Sequence, residues 1–405
     1  SEVKMRHKLM FFLIPAFVLI VGTLFATESR MAGLGFPYGY IKDNSEISVY
    51  PGAIHRYKTV VIGELPTPGT ETNWTLGANM PYQNYVGGVY LNTATNLNVD
   101  NYLYDTLSHS LYRLGDLDIS KKIQFYLGLQ EKYGIGFGMA IDNNKDDIAD
   151  DPDVKRKSSA CYFDFSGGIS TDLYDAGLKI KYAGGSAEND SPVYKKFKDE
   201  FYLLGLDLAG RYYFKQTNDL DLMYIINGYF NLSSKKTDIA DMDDNPVERK
   251  IDGTDFMIEA GAGLNYKIND VNTIIFGFKP IRFVSDHKKG SVAGSDVSAE
   301  LTYNYTYVPE YNLALESSIL PWLTARVGAR QNYVFYSVKD DEGEDEIEED
   351  SSYDSEFVMN LGLGFNFGRF TIDTVLEKDF LHNGPDFIGG NGNGLASKIS
   401  LTYSY

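Results

Sequence analysis

Hydrophobic and polar residues alternate along most of this chain, and the alternation continues over long segments. Clear examples are residues 122–130, 255–268 and 357–367, in which every second residue is apolar and most of the intervening ones are polar, small or tyrosine. Successive side chains of a β-strand point to opposite faces, so a period of two predicts strands with one apolar and one polar face. Several segments match the length of about 9–11 residues that a tilted strand needs to cross a bilayer. The pattern predicts an all-β protein whose strands separate an apolar surface from a polar one.

The C-terminal segment Ile399–Tyr405 continues this alternation. Its apolar face consists of Ile399, Leu401, Tyr403 and Tyr405. An aromatic residue preceded by apolar residues two, four and six places upstream resembles the signal by which Gram-negative bacteria recognise outer-membrane barrels for assembly. The last strand of a barrel has to close against the first strand. We therefore expect this segment to close a barrel and to bind the barrel assembly machinery.

The connections between the strand-like segments come in two sizes that alternate along the chain. The short ones lie at Gln130–Lys132, Ser170–Asp172, Lys215–Asn218, Ile268–Asp270, Leu320–Trp322 and Gly368–Arg369. The long ones, most of them acidic, span 142–157, 184–198, 233–250, 286–296, 339–354 and 381–394. Outer-membrane barrels have short periplasmic turns and long extracellular loops. The layout predicts a transmembrane antiparallel up-and-down β-barrel, whereas a soluble β-sandwich, the alternative, would have shorter strands and more evenly spaced turns.

The sequence contains about fifteen candidate strands. A bacterial barrel with both ends in the periplasm has an even number of strands, so the true number must differ from fifteen. The weakest candidates are residues 57–64 and 84–93. If one of them lies in the lumen, fourteen strands remain, and this is the number that we favour. If residues 94–121 contain a further strand, the barrel has sixteen. Residues 296–319 are predicted to form one strand bent at Pro309, because proline cannot donate a hydrogen bond to the ladder.

The N-terminus has the layout of a secretory signal. Basic residues precede an apolar run, Leu9–Phe25, and Ala26 offers a small residue for cleavage. A retained anchor is the alternative, since about 17 apolar residues can just cross a bilayer. We divide the chain into a signal peptide (1–26), an N-terminal hatch or plug (27–56) and the barrel (57–405). The expected location is the outer membrane of a Gram-negative bacterium after Sec export.

The net charge and the reactive side chains argue against several classes of function. The formal net charge is −19, and such an acidic protein repels nucleic acid, so no nucleic-acid partner is expected. Cys161 is the only cysteine, which excludes an intrachain disulfide and a cysteine-based metal cluster. The histidines beyond residue 26 occupy no recognisable metal or nucleophile motif, and we predict that the protein is not an enzyme. They are His55, His109, His287 and His382.

Residues Arg30–Ile54 are similar to the mature N-terminus of the long-chain fatty-acid transporter superfamily of outer-membrane barrels, which includes the shuttle barrel of type nine secretion. Gly33, Gly35 and Asp43 match its glycine-rich start and the aspartate that follows. The superfamily's Asn-Pro-Ala-Gly is replaced here by Tyr50-Pro51-Gly52-Ala53. Residues Tyr311–Arg330 also resemble the superfamily's strand–turn–strand with Glu, Pro-Trp-Leu and Arg-x-Gly. The resemblance implies fourteen strands and a hatch in the lumen, with Asp43 and Pro51 as hatch residues.

The inward faces of the predicted strands carry charges of both signs, among them Glu259, Arg326 and Arg330. A lumen of mixed charge holds water or forms salt bridges to a plug, whereas a fatty-acid path requires an apolar pocket. Arg326 and Arg330 could bind an anionic substrate headgroup or the carboxylates of the hatch, and we favour the hatch.

The acidic connection 142–153 has the spacing of a calcium-binding loop. Positions 1, 3, 5, 9 and 12 of that spacing hold Asp142, Asn144, Asp146, Asp150 and Asp153, which would let successive oxygen ligands surround one ion. Asp147 stands where such loops have glycine. Ca²⁺ at this loop is the one cofactor that the sequence suggests, and a solvated acidic loop is the alternative that we favour.

These features predict passive transport of small solutes, hydrophobic ones included, through an outer-membrane barrel. The alternative is a non-transporting scaffold or secretion-associated barrel that presents acidic extracellular loops to a partner. In either case the expected partners are outer-membrane lipid and the barrel assembly machinery, and in the first case also a small-molecule solute.

Overall fold

The computed structural model describes residues 28–36, 39–66, 74–95, 118–147, 155–190, 197–240, 246–292, 298–341, 348–376 and 396–405. Sixteen antiparallel β-strands form one closed barrel in which β16 pairs with β1. The strands are β1 (Val60–Pro66), β2 (Thr75–Tyr82), β3 (Tyr85–Ala94), β4 (Lys121–Leu129), β5 (Tyr133–Asp147), β6 (Lys155–Ser170), β7 (Tyr174–Asp190), β8 (Phe197–Gln216), β9 (Leu220–Ala240), β10 (Pro246–Asn269), β11 (Asn272–Val292), β12 (Ser298–Leu320), β13 (Leu323–Asp341), β14 (Glu348–Phe367), β15 (Phe370–Leu376) and β16 (Ala396–Ser404).

The strand count of fourteen that we favoured is wrong, and sixteen, the stated alternative, is confirmed. The strand that the sequence pattern missed is β2, which contains Asn79 and Pro81. Asn79 is a luminal contact, since its Nδ2 donates to the carbonyl oxygen of Tyr57 at 2.9 Å. Residues 57–64, one of the weakest candidates, contribute the strand β1. The additional strand therefore precedes β3, whereas we expected it in residues 94–121.

Apolar side chains cover the outside of the barrel, and polar or small ones face its lumen. In β4, Ile123, Phe125 and Leu127 are exposed, while Gln124 and Tyr126 are buried. Pairing every strand with two neighbours leaves no open sheet edge, which is the condition for a sheet to stand in a bilayer. The predicted all-β fold and its alternation are confirmed.

Within the described residues, the barrel wall is taller on one side than on the other. Strands β8–β14 have 19–24 residues, whereas β1–β4, β15 and β16 have 7–10. A strand crosses a bilayer in about 9–11 residues, so the tall side extends well beyond the membrane. The predicted bent strand is one element, β12, and its pairing with β13 shifts between Tyr307 and Glu310, on either side of Pro309.

Residues 28–58, here called the luminal segment, precede the first strand. They form helix α1 (Glu28–Leu34) and two 3₁₀ helices, Asn44–Ser48 and Pro51–Tyr57. No helix in the described part of the chain is long and apolar enough to span a bilayer. The luminal segment forms hydrogen bonds with residues of β2, β5, β8, β10, β12 and β16, among others, and these strands are spread around the whole wall. The segment therefore occupies the inside of the barrel.

Apolar side chains of the luminal segment form two clusters with inward-facing residues of the wall. The first cluster joins Met31, Leu34, Phe36, Tyr40 and Ile41 to Tyr213, Met223, Ile225, Ile275 and Ala314. The second joins Ile47, Tyr50, Ala53, Ile54 and Tyr57 to Val60, Ile62, Val86, Tyr90 and Tyr126. Full burial of one large apolar side chain contributes about 1.5–3 kcal/mol, so these clusters supply much of the attraction that holds the segment in the lumen.

Candidate functional site

Glycines on the wall let the backbone of the luminal segment touch the strands. A Cβ added to Gly177 of β7 would lie 1.9 Å from the carbonyl oxygen of Val49. A Cβ added to Gly328 of β13 would lie 1.7 Å from the carbonyl oxygen of Leu34. Atoms at these separations overlap, so the close approach of segment and wall requires residues without a side chain.

The first ionic contact between segment and wall, the N-terminal anchor, consists of Arg30, Glu316, Arg326 and Asp373. Arg30 donates from Nε to Glu316 Oε2 at 2.7 Å and from Nη2 to Oε1 at 2.8 Å, a bidentate pairing. Arg326 donates to the same Glu316 Oε2 at 2.7 Å and to Asp373 Oδ1 at 2.7 Å. Glu316 thus joins a cation of the segment to a cation of the wall.

The second ionic contact, the central anchor, consists of Glu46 and Arg56 of the segment and Asp175 and Arg211 of the wall. Arg211 Nη2 lies 2.6 Å from both Glu46 Oε2 and Asp175 Oδ2. Arg56 binds the other oxygens of the same two carboxylates, Glu46 Oε1 at 2.8 Å and Asp175 Oδ1 at 2.5 Å. Two cations and two anions therefore alternate around a closed ring, in which each buried charge has opposite charges as neighbours.

Arg211 is the most deeply enclosed member of the central anchor, with a side chain that is 0% exposed. Its Nη1 donates to the carbonyl oxygens of Gly39 and Ile41, at 3.1 and 3.4 Å. Its guanidinium also lies over the rings of Tyr50 and Tyr213, 5.1 and 5.2 Å from their centroids. A charge buried this deeply needs all of these partners, and most of them belong to the luminal segment.

Both predicted hatch residues belong to the luminal segment. Asp43 caps the 3₁₀ helix Asn44–Ser48, and its Oδ1 accepts from Ser45 N at 2.7 Å and from Ser45 Oγ at 2.5 Å. Burial raises the pKa of the Asp43 carboxyl to about 6, although these hydrogen bonds favour the charged form. Pro51 begins the second 3₁₀ helix, and its carbonyl oxygen would lie 2.1 Å from a Cβ on Gly134 of β5.

The three predicted wall residues take partners on the wall itself. Glu259 accepts from Lys279 Nζ at 2.8 Å, and Arg330 Nη2 lies 3.2 Å from Glu356 Oε2. Arg326 belongs to the N-terminal anchor, where its two carboxylate partners are on strands. Contrary to our expectation, neither arginine binds a carboxylate of the luminal segment.

The sequence did not single out Arg30 or Glu46, the residues through which the segment binds the two wall arginines. Residues 27–56 show no strand periodicity that would indicate which of their side chains are buried. Arg211 and Asp175 lie on the inward faces of β8 and β7. A period of two assigns a residue to a face, however, and gives no information on its partner across the lumen.

A cavity of about 790 Å³ lies between the luminal segment and the wall. Glu28 and residues 44, 45 and 47–50 of the segment line part of it, and inward-facing residues of the wall line most of the rest. Five basic and five acidic side chains contribute to the described lining, among them Lys122, Lys179 and Asp207. A cavity of this size fits a small molecule, and its lining combines charged with apolar side chains.

Only part of the candidate calcium loop lies within the described residues. Asp142, Asn144 and Asp146 lie at alternate positions of β5, which continues to Asp147, so the connection starts later than we expected. Asp142 Oδ2 accepts from the backbone N–H of Asp118 at 2.6 Å. Asp150 and Asp153 lie outside the described residues, within which no group of three or more potential ligands is placed to hold a metal ion. Calcium binding stays a prediction.

The C-terminal strand has the predicted alternation. Ile399, Leu401 and Tyr405 are exposed on the outside of the barrel, while Ser400 and Thr402 are buried. Tyr403 shares the outward face, next to Phe370 of β15. The strand closes the barrel against β1, and its recognition by the assembly machinery stays a prediction.

Two of the four histidines lie in the described part of the chain beside neutral partners. His287 Nδ1 lies 2.9 Å from Thr302 Oγ1, and His55 Nε2 lies 3.1 Å from the carbonyl oxygen of Tyr133. His109 and His382 lie outside the described residues.

Comparisons with known proteins give matches in structure alone. No protein family and no curated protein matches the sequence. Similar solved structures include the Ralstonia pickettii toluene transporter TbuX, with 10% identity, 94% of this chain and 98% of that chain covered, and a TM-score of 0.35. Two others are the ferric yersiniabactin uptake receptor FyuA from Yersinia pestis (10% identity, 85% and 79% covered, TM-score 0.34) and the translocator domain of autotransporter NalP from Neisseria meningitidis (12%, 68% and 88%, 0.32).

Proposed function

We propose that the protein is an outer-membrane barrel through which small solutes pass passively, and that the luminal segment controls this passage. The apolar exterior supports a membrane location, because in water the barrel would expose a continuous apolar belt. The observation that supports transport is the cavity of about 790 Å³ that lies between the luminal segment and the wall. A solute-sized space beside a segment held by ion pairs and small apolar clusters is what a gated path requires.

The lining of the cavity supports a hydrophilic solute. Its ten charged side chains, five of each sign, are solvated when the cavity holds water. A hydrophobic solute would remove that water without replacing its hydrogen bonds, which is costly for charged groups. The resemblance to fatty-acid transporters favours a hydrophobic solute, and we consider this the weaker alternative.

Planar-bilayer recordings of the full chain and of Arg211→Met test the proposal. We expect small or brief openings from the full chain and larger, longer openings from the variant, because the central anchor is broken when Arg211 loses its charge. Arg369→Met is the matched control, since it removes an exposed arginine from a short turn. Removal of residues 27–56 gives the conductance of an unobstructed barrel. Transport is contradicted if all of these proteins insert as folded barrels and none of them conducts.

A second candidate function is a scaffold or secretion-associated barrel that presents its outer parts to a partner. The observation that favours it is the height of β8–β14, whose 19–24 residues form a wall well beyond the bilayer. Such a wall offers a surface to a partner without any passage through the lumen. This function predicts no conductance from the full chain or from Arg211→Met, with both proteins folded in the membrane.

A further inference from the structure

Strands β4, β6, β7 and β8 present more positive than negative charge to the cavity. Lys122, Lys179 and Lys181 line it there. Lys122 donates to Asp164, and Lys181 Nζ donates to Asp207 Oδ1 at 2.7 Å. Within this group, here called the lysine patch, three cations face two anions. One positive charge of the patch is therefore available to a solute in the cavity.

Lys179 carries that excess charge. Among the described residues, no carboxylate forms an ion pair with its ammonium group, whereas the other two lysines of the patch each have one. The strand register places Ser166 of β6 on one side of Lys179 and Asp207 of β8 on the other. Because Asp207 already binds Lys181, Lys179 remains available to a ligand.

We propose that the lysine patch is a binding site for a small organic anion, whose anionic group binds Lys179. This inference deepens the proposed transport function by naming the class of solute. Within that function, the patch gives the lumen a preference for anions.

An anion preference runs against the charge of the protein as a whole. The chain has a formal net charge of −19, and an acidic protein attracts cations and repels anions at a distance. A preference for anions must therefore arise from a local group in the lumen. Removal of Lys179, the one lysine of the patch without an ion pair among the described residues, should then shift the selectivity toward cations.

Three probes with related skeletons test the site: D-gluconate is an anion, D-glucose is neutral and D-glucosamine is a cation. Binding is measured by isothermal titration calorimetry on the detergent-solubilised full chain. We expect gluconate to bind most tightly and Lys179→Gln to weaken gluconate about tenfold while glucose changes little, because a hydrogen bond to a charged group is lost. The matched control is Lys267→Gln, which removes an exposed lysine of β10 outside the cavity and should leave gluconate binding unchanged. Heat-modifiable migration in gels shows that each variant is folded.

Reversal potentials in a KCl gradient give a second readout. In Lys179→Gln the permeability ratio should move toward K⁺, and in Lys267→Gln it should not move. Equal gluconate affinity in the parent protein and Lys179→Gln, or equal affinity of the parent for gluconate and glucose, overturns the anion site whether or not the barrel conducts. Gluconate binding that depends on Lys179 in a barrel that never conducts supports the site and contradicts the transport function.

Discussion

The two anchors of the luminal segment use the same ionic chemistry in different arrangements. In the N-terminal anchor the segment supplies one cation, Arg30, to a wall carboxylate that also binds a wall arginine. In the central anchor the segment supplies both a carboxylate, Glu46, and a guanidinium, Arg56, to an opposite pair on the wall. The first anchor therefore adds a partner to an existing wall pair, whereas the second completes a ring.

The anchors differ in what remains on the wall when the segment leaves. Glu316 keeps Arg326 as its partner, so the wall stays balanced without Arg30. Arg211 instead loses Glu46 and two backbone carbonyl groups. The N-terminal anchor is also partly exposed, with Arg30 at 14% against 0% for Arg211. We infer that residues 28–36 detach from the wall more easily than residues 44–57.

Of the substitutions considered, replacement of Arg211 by methionine should weaken the docking of the luminal segment most. The variant leaves the two carboxylates of the central anchor with Arg56 alone, and breaking a buried ion pair costs about 3–5 kcal/mol. Hydrogen exchange followed by mass spectrometry should show residues 44–57 losing most of their protection while the strands keep theirs. The exposed Arg369→Met should behave like the parent protein. Unchanged protection of residues 44–57 in Arg211→Met would show that the apolar clusters alone hold this part of the segment.

Substitution of the wall glycines should separate the two ends of the segment. A methyl group at Gly177 overlaps the carbonyl oxygen of Val49, and one at Gly328 overlaps that of Leu34. Since backbone atoms cannot turn aside as a side chain can, each alanine variant should weaken docking by about 1–3 kcal/mol. Exchange should increase near residue 49 in Gly177→Ala and near residue 34 in Gly328→Ala.

The control for these variants is Gly87→Ala, where an added Cβ meets no atom within 4 Å. It should change exchange at neither end of the segment. If Gly177→Ala and Gly328→Ala each release both ends equally, the segment docks as one unit and the distinction between the anchors fails.

Replacement of Arg30 by methionine should have a smaller effect than that of Arg211. The variant removes two hydrogen bonds to Glu316, but this carboxylate keeps Arg326, so we expect a loss of about 1–2 kcal/mol. The increase in exchange should be confined to residues 28–36. A loss as large as that of Arg211→Met would mean that the wall pair does not compensate for the missing cation.

The barrel could be predicted because its signal is local. In β4, Ile123, Phe125 and Leu127 alternate with inward residues over nine consecutive positions. Each strand needs this alternation because one of its faces contacts lipid and the other faces the lumen. The sequence pattern did not predict β2. Its inward Asn79 binds the luminal segment, and Pro81 resembles a residue that ends a strand.

The anchors could not be predicted in the same way because they join residues far apart in the sequence. Arg211 and Glu46 are separated by 165 positions, and Arg30 and Glu316 by 286. The inward position of Arg211 follows from strand periodicity, but its partner depends on how an irregular segment folds in the lumen. The short 3₁₀ helices that place Glu46 have no periodic pattern to reveal them.

The pH dependence of Asp43 should give the smallest effect, and it tests whether one charge acts on both anchors. The pKa of its carboxyl is about 6 in the docked segment because of burial, against 3.8 for a solvated carboxyl. Because docking raises this pKa, the charged form opposes docking, and the segment should lose about 1 kcal/mol of docking free energy between pH 5 and pH 7. Asp43→Asn keeps a side-chain oxygen for the cap and should remove this dependence, once exchange is corrected for its intrinsic rate at each pH. The charge of Asp43 acts on Arg30 of one anchor and on Glu46 of the other. Exchange should therefore change with pH in both residues 28–36 and residues 44–57, and a change at one end alone would show that the charge of Asp43 acts on only one anchor.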